Sequence, residues 1–154
     1  MGQFMNAGDA VHGSLAKCYV TIEGKRYNFM QLIDFEAVVD KKKTEIPILG
    51  QTGKGHKACG WKGTFRGRAH YNQPVLRQYL AEYKKTGRDV YFDIEVTNDD
   101  GLRQVVVLKD CCTDGGVLAK FDVNAQFLEE GITGTFDDFE IRTAFRVIDG
   151  MRVN

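Results

Sequence analysis

From Trp61 to Tyr71 the chain alternates without a break. Trp61, Gly63, Phe65, Gly67, Ala69 and Tyr71 share one parity, and Lys62, Thr64, Arg66, Arg68 and His70 share the other. Only an extended strand sends successive side chains to opposite faces, so this stretch demands a sheet with one apolar and one charged face. A sheet so patterned needs a partner layer for its apolar side, which makes the rest of the chain answerable to it.

Other segments follow the same rule. Cys18–Glu23 alternates and Gly24 marks a turn. Tyr27, Phe29, Ile33, Phe35, Ala37 and Val39 share one parity, against Asn28, Asp34, Glu36 and Asp40, while Met30 and Leu32 break it and predict a bulge or bend. Thr44–Leu49 reads as extended, followed by a glycine-rich loop from Gly50 to Gly60. A strand over Val90–Thr97 turns at Asn98-Asp99-Asp100-Gly101 and returns over Arg103–Lys109. Further β structure is expected at Val117–Asn124 and Ile132–Ile141.

One segment has the helical period instead. Val75, Leu76, Tyr79, Leu80 and Tyr83 make a single apolar stripe, the core face of a helix over about 73–86. Asn72 is its expected N-cap, Pro74 lies in its first turn and Gly87 ends it. The expectation is an α+β fold, mainly antiparallel β, with one flanking helix. At 154 residues a single domain over 18–142 is expected. A small-residue arm over 1–17 precedes it, a 143–154 extension follows, and a long loop occupies about 42–60.

Charge and cysteines narrow the function. Lys plus Arg number 21, as do Asp plus Glu, and this balance argues against a dedicated nucleic-acid binder, whose affinity comes from counterion release. No apolar run approaches the ~20 residues of a membrane span, and residues 1–17 lack the pattern of a secretory leader. Met-Gly at the start does not meet the myristoylation pattern, because Asn6 stands where Ser or Thr is required. Cys18, Cys59, Cys111 and Cys112 follow no zinc spacing and are expected as reduced thiols.

The remaining motifs are read against plainer explanations. Gly50–Lys57 superficially resembles a phosphate loop, but His56 occupies the place of the lysine and a strand rather than a helix follows. No catalytic, cofactor or metal residues are assigned. The histidines His12, His56 and His70 have no partner in sequence, and the one serine is Ser14. Arg66 and Arg68, with Lys62 and His70, suggest a nucleic-acid-binding β domain as the alternative function. Strand alternation, however, puts the aromatics on the opposite face, and Asp34, Glu36 and Asp40 are the expected partners of the basic residues. Asp137, Asp138 and Glu140 form an acidic cluster without the EF-hand spacing.

Two segments carry a resemblance. Glu45–Thr64, which includes Leu-Gly-Gln-Thr-Gly-Lys-Gly-His-Lys, and Tyr83–Asp100 are similar to the tail tube proteins of contractile phages and defective prophages of Gram-positive bacteria. The likeness extends through Ala16–Lys25, Gln104–Lys109, Val117–Val123 and Thr135–Glu140. It implies a β-sandwich or barrel-like subunit that closes into hexameric rings, stacked as a hollow tube, in a virion or an R-type bacteriocin. It further implies a sheath, baseplate or initiator and tape-measure proteins as partners, and assembly in the host cytoplasm. DNA would be at most a non-specific passenger, a membrane only the pierced target, and no cofactor is expected. On this resemblance Leu49, Gly50, Gly53, Lys54, Gly55, His56, Lys57 and Trp61 are expected at a subunit interface. Asp34, Glu36, Asp137 and Asp138 are expected to line the lumen or to pair between strands.

Overall fold

The computed structural model describes residues 4–151. Among these, eight strands and one α-helix run in the order β1 (Ala16–Ile22), β2 (Lys25–Asn28), β3 (Leu32–Pro47), β4 (Lys54–His70), α1 (Val75–Thr86), β5 (Phe92–Asp100), β6 (Leu102–Thr113), β7 (Glu129–Phe136) and β8 (Asp138–Thr143). All strand pairs are antiparallel. The chain packs as two compact units. The expected arm over 1–17 carries a one-turn 3₁₀ helix at Ala7–Asp9 and ends in the first residues of β1, and a second such turn occupies Asp149–Met151. The ends of both segments, 1–3 and 152–154, lie outside the described residues.

Of the described residues, the first unit contains 4–30, 90–111 and 138–151. Its strands follow the order β2, β1, β5, β6, β8. Val20 and Ile22 of β1 pair with Ile94 and Phe92 of β5, and these in turn oppose Leu108 and Cys111 of β6. All six are buried. The β5–β6 register slips between Phe92 and Ile94, and on β6 Asp110 takes a positive φ of 54° while its N–H donates to the Asp93 carboxylate at 3.3 Å. This bulge resets the parity, so that Leu108 and Cys111 point the same way three residues apart.

The second unit contains residues 31–89 and 112–137. Here β3 pairs with β4, β4 with β7, and β7 with the last residues of β6. The apolar parity read from Trp61–Tyr71 faces inward: Gly63, Phe65 and Ala69 are buried, while Lys62, Arg66, Arg68 and His70 are exposed. Gly63 opposes Phe136, and Phe65 opposes Gly134. A Cβ on Gly63 would run into the Phe136 ring, and one on Gly134 into the Phe65 ring and the Cys112 carbonyl. Each ring therefore lies over the glycine across from it, and the two aromatics fill the space that two side chains were denied.

Helix α1 begins two residues later than expected. Asn72 makes no side-chain cap; its N–H closes a turn to the His70 carbonyl. The capping role falls to buried Gln73, whose Oε1 accepts from the Leu76 N–H at 3.3 Å. Gly87 ends the helix at φ 73°, its N–H donating to the Tyr83 carbonyl. Val75, Leu76, Tyr79 and Leu80 are half-buried, and Tyr83 is exposed.

Three of the strand and loop expectations are corrected. Gly50–Gly60 is not a loop: Lys54–Gly60 belongs to β4 and pairs with β3. Its high glycine content hid a strand whose ladder is supplied entirely by the preceding segment. Val117–Asn124 is not a strand, because no neighbouring strand offers it a ladder. Ile132–Ile141 is also divided, at Asp137, into β7 and β8.

Candidate functional site: the β3–β4 arm

β4 pairs with β7 only from Gly63 to His70. Beyond Gly63 its sole strand partner among the described residues is β3, so Asp40–Pro47 and Lys54–Lys62 form a two-stranded ribbon. Every residue from Val39 to Lys62 is exposed except half-buried Gly55. An isolated two-stranded ribbon is marginally stable in water. This one carries Val39, Ile46, Ile48 and Leu49 on its surface, and Leu49 at its tip is completely exposed.

The tip is a turn closed by the Gln51 N–H donating to the Ile48 carbonyl at 3.2 Å, with Gly50 at φ 82°. A positive φ at the third turn position favours glycine and leaves Leu49 at the outermost corner. A second irregularity lies midway, where Cys59 is an extra residue between the pairs Lys42–Gly60 and Lys43–Ala58. Its Sγ sits 3.3 Å from Thr44 Oγ1 and donates to the Lys42 carbonyl at 3.4 Å. Such a bulge tightens the right-handed twist of the arm.

Charge along the arm is mostly positive. Lys41, Lys42, Lys43, Lys54, Lys57 and Lys62 stand against Asp40 and Glu45, and only Lys54 and Glu45 approach each other, at 3.5 Å. Toward the root the pattern changes. Arg66 meets Glu36 at 3.5 Å, and Arg68 meets Asp34 at 2.8 Å and Glu129 at 3.1 Å. The hydrogen bond from Arg68 holds the Asp34 carboxyl below its usual range. Asp34 and Glu36 are thus inter-strand partners of the two arginines, which leaves a base-stacking platform neither free arginines nor same-face aromatics.

The eight interface residues expected from the sequence all fall on this ribbon or its turn. Trp61 differs from the rest, since its ring also leans on Phe136 with centroids 6.1 Å apart. Asp137 and Asp138 lie elsewhere, at the β7–β8 junction: Asp138 accepts from the Phe139 N–H at 2.9 Å and is the register partner of Lys109. The phosphate-loop likeness fails on context, since Gly50–Gly53 turns directly into strand β4 at Lys54 and no helix opens there. Sequence reading missed a buried network in this unit. Glu130, whose side chain is 2 % exposed, accepts from Arg77 at 2.9 Å and from Gln73 at 3.3 Å. Its signal was present: Glu130 shares the parity of Ile132, Gly134 and Phe136, which marks an acid on the inward face of a strand.

The thiols are all free. Burial pushes the Cys18 thiol up to about 12. Cys112 is raised as well, by burial first and then by the charge of Asp89, with Asp114 and Asp137 adding to it.

A family model described as phage tail tube protein matches residues 3–142. Two proteins of Bacillus subtilis (strain 168) are similar. An uncharacterized protein, YqbM, is 36% identical over 114 residues, covering 70% of this chain and 76% of the relative. The phage-like element PBSX protein XkdM is 33% identical over 111 residues with the same coverage. Among solved structures, a chain of the anti-feeding prophage baseplate superposes with a TM-score of 0.66 at 9% identity, covering 89% of this chain and 97% of that one. A chain of the sheath-tube complex of an extracellular contractile injection system gives 0.63 at 11% identity, with 83% and 89% covered. At such identities the likeness shows the fold, which is the mainly antiparallel, single-helix arrangement described above.

Proposed function

We propose, from the premise that this chain belongs to the phage tail tube protein family, that it is the structural subunit of the inner tube of a contractile phage tail or phage-tail-like particle of the R-type bacteriocin kind. Copies close into hexameric rings, and the rings stack into a hollow tube that sheath contraction drives through a target envelope. The observation that carries this reading is the β3–β4 arm, a long ribbon with exposed apolar residues that pairs with no further strand among the described residues. β3 is moreover an edge strand, pairing only with β4 among the described residues. A free edge of that length is a template for pairing, and a monomeric protein ordinarily blunts it. In a tube the edges are used up between subunits.

The partners that follow are other copies of the chain, a sheath protein, a baseplate or initiator and a tape-measure protein. Fold neighbours from a sheath-tube complex, a baseplate and a tube-terminating cap support this reading. DNA is at most a passenger in the lumen, and the target membrane is pierced rather than bound. The protein works by polymerising, without turnover, assembling in the host cytoplasm before release in a virion or tail-like particle.

Negative-stain microscopy of the purified chain across a concentration series is the test. Rings or hollow tubes with a central pore are the expected result. A chain that stays monomeric at every concentration, and also when supplied with a tail initiator complex, overturns the reading.

A further inference from the structure

The segment between β6 and β7 is unusual for a loop. Leu118 is 72%, Phe121 87%, Val123 89% and Phe127 77% exposed. Their backbone is nonetheless held in place. Arg77 donates to the Val117 carbonyl at 3.4 Å, the Lys120 N–H donates to the Tyr71 hydroxyl at 3.2 Å, and Lys120 Nζ donates to the Glu129 carbonyl at 2.7 Å. Asp122 closes the middle, accepting the Asn124 N–H on its carboxylate and the Ala125 N–H on its carbonyl. The result is a platform fixed at its ends that presents apolar side chains outward. Four large apolar side chains so exposed within one short segment mark an interaction surface.

Two properties select the occupant. The first is area: covering the two phenylalanines removes on the order of 300 Å², whereas a stable interface needs roughly 800 Å² on each partner. The platform is part of an interface, so its partner must bring an extended element that continues past it. The second is charge. Asp114 precedes the platform and Asp122 lies within it, against the single cation Lys120, and Asp114 shares with Asp89 and Asp137 the surroundings of Cys112. An apolar, extended and basic element fits such a surface, and the β3–β4 arm has all three properties, with Ile46, Ile48 and Leu49 near its tip and Lys54 and Lys57 beside them.

We propose that the 117–127 platform of one copy receives the arm tip of a second copy. The proposal rests on the tube reading and adds to it the landing surface of the arm. Because arm and platform are different patches, the contact is heterologous, and each copy that docks leaves one arm and one platform free for the next.

The test uses the full chain with Cys59→Ser to remove the exposed native thiol. Leu49→Cys and Phe121→Cys are introduced in separate preparations, mixed, assembled, oxidised and run without reductant. A disulfide-linked dimer in the mixture, absent from either preparation alone, is the expected result. The pair Ile48→Cys with Val123→Cys repeats the experiment one step along the arm. Tubes that form without a mixed dimer from either pair overturn the landing surface and leave the tube reading standing. Phe121→Cys that reacts fully with a bulky maleimide inside assembled tubes overturns it too, since the platform then faces outward to another protein. An unsubstituted chain that never assembles overturns the tube reading and this contact with it.

Discussion

Arg77 and Glu130 form the most buried ion pair among the described residues. Glu130 is buried and Arg77 partly so, and removing one member strands a charge, which costs about 3 kcal/mol or more. Arg77→Met is therefore expected to lower the thermal midpoint sharply, and Arg77→Met with Glu130→Met to recover part of the loss; paired melting curves check this. Asp34 makes a smaller, pH-dependent contribution. Its folded pKa lies below the unfolded one, so the stabilisation is present above the ordinary carboxylate range and is lost as pH falls through the folded value. Acid unfolding of Asp34→Asn is expected to be less steep than that of the unsubstituted chain below pH 4 or so. Among the thiols, a pKa of about 12 leaves Cys18 only about 10⁻⁴ thiolate at pH 8. Mass spectrometry after brief alkylation should find exposed Cys59 modified and Cys18 intact. At this scale the sequence showed Arg66 and Arg68 opposite Asp34 and Glu36, because those residues lie on adjacent strands with matching parity. It did not show Gln73, Arg77 and Glu130 together, since only the folded chain brings a helix and a distant strand into one cluster.

Elements were legible where the ladder is local and the period clean. The helix, the β5–β6 hairpin and the strand through Phe65 could all be read in advance, although the helix cap moved from Asn72 to Gln73. The arm was misread as a loop from Gly50 to Gly60, because glycine and lysine depress strand propensity even where a neighbouring strand supplies every partner. The opposite error at Val117–Asn124 has the opposite cause: alternation was present, but side chains rather than a neighbouring strand hold the backbone. Since the arm pairs only with itself beyond Gly63, it should be removable. Replacing Thr44–Lys57, whose ends are register partners, by an Asn-Gly turn is expected to leave the far-UV spectrum and melting behaviour of the rest largely unchanged while abolishing assembly. Circular dichroism and microscopy on the same preparation check both halves. Gly87→Ala, at a left-handed helix end, should cost about 1 kcal/mol without affecting assembly.

Across the whole chain, the balance of positive and negative charge argues against the nucleic-acid reading. Arg66 and Arg68 on β4 are already paired with carboxylates, so a phosphate backbone would have to displace those partners. A titration with single-stranded DNA at physiological salt is expected to show no saturable binding; tight binding that weakens steeply with added salt would revive the alternative. Function at this scale was legible through family likeness alone, because a tube subunit has no reactive constellation for a sequence pattern to betray. What composition and periodicity supplied was the negative half of the argument.

The charged rungs across β3 and β4 also bear on how the long hairpin finds its alignment. Alternation of apolar and polar residues distinguishes a slip of one residue, but a slip of two preserves every face. The rungs break that degeneracy. In the native alignment Asp34 faces Arg68, Glu36 faces Arg66 and Asp40 faces Lys62. Slipped by two in one direction, only Asp34 keeps a cation opposite it, now Arg66; in the other, only Glu36 does, and Lys42 comes to face Lys62. Weak surface pairs that add little to the depth of the native state thus act as proofreading marks, discarding misaligned hairpins before their edges can meet those of other chains.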